Sequence, residues 1–137
     1  KFQFVAVASA VTDFCLFGFQ VPAPGNLFIT GIDIDTWNTG AVNSATSPTL
    51  LEWGIAVGTT AVSLATTGIV RMGVGSQVIS TSAAIGVQAD KHISKVYGTP
   101  LFCPSGRFVQ VILRLPVAAS TASQVIAGMV NIEGHYA

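Results

Sequence analysis

An all-β fold, a two-sheet antiparallel sandwich of jelly-roll or Greek-key type with about eight strands, is predicted by three features of this 137-residue sequence. Strand-prone runs rich in Val, Ile, Phe and Thr recur along its whole length. Gly, Pro, Ser and Asn punctuate them at short intervals. Apolar residues seldom repeat at three- and four-residue spacing with charged faces between them, so helix signals are nearly absent. The length suits one domain with a sizeable core.

In chain order, strands are expected near residues 2–8, 13–21, 27–37, 50–58, 68–79, 92–97, 107–117 and 124–136. The first is the apolar run Lys1-Phe2-Gln3-Phe4-Val5-Ala6-Val7-Ala8, joined to the body through Ser9 and Ala10. The second ends at Val21-Pro22-Ala23-Pro24-Gly25-Asn26, where Pro fixes φ and Gly admits positive φ, as a turn requires. In the third, alternation puts Phe28, Ile32 and Ile34 inward and Asp33 and Asp35 outward. The stretch 38–48, rich in Asn, Thr, Ser and Gly, reads as a long exposed loop. In the fourth, Leu51, Trp53, Ile55 and Val57 point inward and Glu52 outward. The fifth and sixth have less legible faces. The charged cluster Asp90, Lys91, His92 and Lys95 marks the start of the sixth as an edge strand, where Lys discourages unwanted pairing. Cys103-Pro104-Ser105-Gly106 forms the turn into the seventh strand, in which Val109, Val111, Leu113, Leu115 and Val117 share the inner face. After the small-polar connection 118–123, the eighth places Ile126, Val130, Ile132 and Tyr136 inward and Asn131, Glu133 and His135 outward. One polar face per strand fits a sandwich better than a buried parallel sheet.

Composition narrows the function. Half of the residues are apolar and only 9% are charged, six basic against six acidic, whereas soluble domains average about 25% charged. Such a surface has little long-range repulsion to keep copies apart. No basic patch supplies the electrostatic footprint of nucleic-acid binding. The best membrane-span candidate, 50–70, is broken by Glu52, Ser63 and repeated Gly and Thr, which argues against insertion. The sequence carries no secretory leader and starts at Lys1 rather than Met, leaving a processed precursor open. Cys15 and Cys103 are the two cysteines; one disulfide across the sandwich is conceivable in an extracellular protein, and two buried free thiols are equally compatible.

The entry turn Val21-Pro22-Ala23-Pro24-Gly25-Asn26-Leu27-Phe28-Ile29-Thr30-Gly31-Ile32, the run Pro104-Ser105-Gly106-Arg107-Phe108-Val109, and the closing stretch from Gln124-Val125-Ile126-Ala127-Gly128 to Gly134-His135-Tyr136 lie in order over most of the chain. In these features the sequence resembles jelly-roll structural proteins of tailed-phage virions and related extracellular fibre or filament subunits. The resemblance implies a component that decorates capsids, forms fibres or polymerises, and it brings no catalytic residues.

Candidate chemistry is sparse. Asp33 and Asp35 share a strand face about 7 Å apart, close enough to hold a cation, but without a third ligand they read as solvated carboxylates. His92 and His135 have no nucleophile or orienting carboxylate nearby in sequence. No metal-ligand spacing, nucleophile elbow or phosphate loop is present, so neither enzyme nor cofactor is expected. Trp37 and Trp53 raise a carbohydrate-binding alternative, a lectin-like module, with Trp37 the better exposed candidate beside the 38–48 loop.

The reading is a non-enzymatic, self-assembling protomer of an extracellular filament or virion surface (fibre, capsid decoration or coat component). Its partners would be copies of itself or other coat proteins. Residues 11–137 would form the jelly-roll body. Residues 1–10 would form an arm that pairs in its own sheet or with a neighbour. Contact candidates are Phe2, Phe4, Val5 and Val7 in the arm, with Trp37 and Asn38 at the loop.

Overall fold

The computed structural model describes residues 2–6, 12–38, 49–59, 70–79, 91–115 and 124–137. All of the expected strands form: β1 (Phe2–Ala6), β2 (Thr12–Gln20), β3 (Leu27–Asn38), β4 (Thr49–Gly58), β5 (Val70–Ile79), β6 (Lys91–Cys103), β7 (Phe108–Leu115) and β8 (Gln124–Tyr136). They build two four-stranded antiparallel sheets, ordered β1-β8-β3-β6 and β2-β7-β4-β5. Every connection except β4–β5 crosses from one sheet to the other, which is the interleaved winding of a jelly roll.

The sheets bury one continuous core. Ile29, Ile32 and Ile34 of β3 face Leu51, Trp53 and Ile55 of β4 and Val109, Val111 and Leu113 of β7, all nearly or wholly excluded from solvent. Alternation along the strands produces this face. A buried polar tie crosses the core, where the Gln77 amide of β5 donates to the Thr36 hydroxyl of β3.

Irregularities in register decide which side chains face where. Thr30 is squeezed out of the ladder, so that Ile29 pairs with Gly134 and Gly31 with Glu133. This shifts the alternation by one residue. Phe28, expected inward with Ile32 and Ile34, therefore lies on the outer face, and Ile29 takes the core position. On the β6 side the same point faces a larger excursion: Ile29 pairs with Leu101 and Gly31 with Val96, leaving Tyr97, Gly98, Thr99 and Pro100 opposite Thr30. The strand thus runs on to Cys103 rather than ending near residue 97. An edge strand tolerates Gly and Pro there because its outer N–H groups need no partner. Leu16 in β2 and Val74 in β5 are similarly extruded.

One end of the sandwich is tied by a small set of backbone bonds. Val21 N–H donates to the Arg107 carbonyl (2.8 Å) and Gly106 N–H to the Val21 carbonyl (2.9 Å). Asn26 and Ala137 exchange both of their backbone bonds (2.8 and 3.0 Å), and the Asn26 side-chain oxygen accepts from Ser105 N–H (3.1 Å). Gly106 has φ of 77° in the turn closed by Arg107 N–H to the Pro104 carbonyl. That is the conformation that made Gly the expected residue there.

Candidate assembly surface

The outer face of β1-β8-β3-β6 carries four described rungs across β6, β3 and β8. The first is aromatic: Phe28 stacks on His135 (ring centroids 5.4 Å, interplanar angle 11°) and meets Phe102 at 5.3 Å with a 47° tilt. The second holds Val96, Gly31 and Glu133, and the third Ser94, Asp33 and Asn131. The fourth joins His92, Asp35 and Met129, with Asp35 Oδ1 2.7 Å from His92 Nδ1. Val96 (76% exposed), Phe102 (50%) and Met129 (41%) place large apolar groups in solvent on this one face. A folded monomer exposes scattered apolar residues routinely; here they share one sheet with the Phe28 ring.

A second feature is an open sheet edge. β1 pairs only with Gln124–Gly128 of β8, so beyond Gly128 no described strand lies on the side of β8 away from β3. The Asn26–Ala137 exchange fixes the phase of the β3–β8 ladder. Alternation then turns the N–H and C=O groups of Val130, Ile132, Gly134 and Tyr136 toward the open side. Beneath that edge is a cavity of about 300 Å³ lined by Phe17, Phe19, Leu27, Val130, Ile132, Gly134 and Tyr136. Tyr136, expected inward, stands at its mouth and is 55% exposed, with no described strand beside it on that side of β8.

The other sheet bears a cavity of about 510 Å³ over the extruded Val74, where Glu52, Ser76 and Arg114 surround Gly54, Gly73 and Gly75. Glu52 pairs directly with Arg114 across β4 and β7, which sets opposite charges side by side.

The sequence-derived contact candidates divide among these places. Phe2, Phe4 and Val5 are in β1, opposite Gly128, Ile126 and Val125 of the same chain. Trp37 and Asn38 end β3, opposite Ala127 and Ile126, and Val7 lies outside the described residues, as does most of the 38–48 loop. Trp53 is core, 2% exposed. Asp33 and Asp35 do share the outer face, but Asp35 is engaged by His92, a cross-strand partner invisible at a sequence separation of 57. Among the described residues, no group of three or more His, Cys, Asp or Glu converges on a metal-sized site. No helix among them is long and apolar enough to cross a membrane.

Cys15 and Cys103 are both free thiols. The conceivable disulfide is not formed, because the two belong to different layers. Cys15 packs with Ala56 and Ile112 on the outward side of β2-β7-β4, whereas Cys103 is in the inter-sheet core. Burial pushes the Cys103 thiol up to about 11 and raises Cys15 as well. What sequence reasoning missed is the open edge of β8. The only sequence signal is the mismatch between the short first strand and the 13-residue last one.

No family model matches the chain, and no curated protein matches it in sequence. Among solved structures, it is similar to a chain from infectious bursal disease virus Gx strain, with a TM-score of 0.45 and 12% identity. The match covers 96% of this chain and 29% of that one, so this domain spans less than a third of the viral chain's length.

Proposed function

We propose that this chain is a non-catalytic structural protomer, assembling with copies of itself or with companion coat proteins at a virion surface or in an extracellular filament. The observation that carries this reading is the outer face of β1-β8-β3-β6, where Val96, Phe102 and Met129 stand exposed. The chain has only six basic and six acidic residues to keep neighbours apart. Covering such a face removes apolar area from water at about 25 cal/mol per Å². The face also carries Glu133, Asp33 and the Asp35–His92 pair, which a partner has to match or leave at the wet rim. Assembly of this kind depends weakly on ionic strength, because few exposed charge pairs are there to be screened.

The test is sedimentation velocity over a wide concentration range, at about 0.05 and 0.5 M salt, with electron microscopy of the same samples. Multimers at both salt concentrations support the reading. Open head-to-tail filaments point to a polymerising subunit, and closed rings to a fibre or decoration protein. A monomer throughout, with Trp fluorescence that responds to a glycan, replaces this reading with the carbohydrate-binding one.

A further inference from the structure

We infer that the open edge of β8 receives the N-terminal strand of a second copy, an inference that rests on the assembly reading above. Four observations converge on that occupant. The groups presented by Val130, Ile132, Gly134 and Tyr136 are backbone donors and acceptors in strand spacing, and such a row is completed by another strand. The ledge lies on the same edge of β8 that β1 pairs with, so a strand placed there forms the same kind of antiparallel ladder. Its floor is β2, through the aromatic side chains of Phe17 and Phe19. Only a strand that can leave its own sheet without carrying neighbours fits such a ledge. β1 qualifies: it is five residues long, and among the described strands its one sheet neighbour is β8 itself.

In its own domain β1 is confined to the Gln124 end of β8, because the chain must begin β2 at Thr12, beside Leu115, with only five residues between it and Ala6. A strand from a second copy carries no such restraint. Moving it six positions along β8 sets Phe2 opposite Gly134, Phe4 opposite Ile132 and Ala6 opposite Val130, in place of Gly128, Ile126 and Gln124. The displacement is an even number of residues, so the alternation of faces is preserved. Phe2 and Phe4 then come to the rungs bordering the cavity of about 300 Å³. Because each copy both donates and accepts, the contact is head-to-tail and generates rings or filaments.

The experiment is disulfide trapping in the full chain, with Cys15→Ala as background. Positions 6 and 130 are about 20 Å apart along β8 within one domain, too far to bond; in the inferred contact they are direct partners. Oxidised A6C/V130C is expected to give a ladder of covalent multimers on non-reducing gels, and each single variant to stop at dimers. A6C/Q124C at high dilution closes internally and reports that β1 is paired in its own domain. As a second variant, Val130→Lys sets an ammonium on the ledge and raises the concentration needed for assembly by about tenfold or more. Multimers in sedimentation without the A6C/V130C ladder overturn the inference and leave the assembly reading standing. So does a folded V130K, checked by circular dichroism, that assembles like the parent. Absence of multimers under all conditions overturns both.

Discussion

Gly134 lies hard against the carbonyl of Phe28, at the rung where Thr30 leaves the ladder. A Cβ at 134 would collide with that oxygen and crowd Ile29 Cα at 3.1 Å, both of them backbone atoms that cannot swing aside. Gly134→Ala is therefore expected to cost about 1–3 kcal/mol, as overpacking does in well-filled cores, read as a lower urea midpoint. Unchanged stability would mean that β3 and β8 can separate at the bulge without loss.

The same bulge predicts opposite responses from adjacent residues. Ile29 is fully buried and Phe28 lies on the outer face. Ile29→Ala should cost about 2–5 kcal/mol. Phe28→Ser should reduce folding stability far less, while weakening any contact made by the outer face. Equal losses in thermal unfolding would contradict the assigned register.

Asp35 and His92 form a 2.7 Å pair whose side chains are 45% and 58% exposed. Exposed pairs contribute little, so a double-mutant cycle with Asp35→Asn and His92→Ala should give a coupling of about 0.2–1 kcal/mol that shrinks with salt. A coupling well above this range would show that the pair is shielded from solvent in the protein as it stands, for example within an assembly.

Alkaline stability should report on Cys103. Its thiol is pushed up to about 11 by burial, above the ordinary thiol value near 9.0 that the unfolded chain has. Between these values the unfolded state has lost the proton and the folded state has kept it. Stability is thus unaffected below about pH 9 and declines as pH rises toward 11. Tyr97, raised by the same cause, acts in the same direction. Denaturant titrations from pH 8 to about 11 should show this decline, and Cys103→Ala should flatten part of it. In native protein Cys15 should react with a thiol reagent before Cys103, which waits for unfolding.

Much of the architecture was legible because it follows from local rules. The strands follow from β-branched content between Gly and Pro punctuation, and the inner faces of β4 and β7 from simple alternation: Leu51, Trp53 and Ile55, then Val109, Val111 and Leu113, all in the core. Alternation failed where a residue was extruded. Phe28 and Ile29 exchanged faces because of Thr30, and nothing within either strand alone marks that position. β6 ran past Gly98 and Pro100 because, as an edge, it could tolerate them.

The sequence by itself determined that this chain is an all-β sandwich with a charge-poor surface, since strand propensity, turn chemistry and composition are properties of residues and their immediate neighbours. Tertiary structure alone decided the rest. It chose which strands pair, brought His92 to Asp35 and Phe102 to Phe28, and separated Cys15 from Cys103 by a layer of sheet. It also left the side of β8 away from β3 without a described strand from residue 129 to 136. The physical reason is that pairing and register are relations between distant segments, fixed only when both faces of each sheet find their cover.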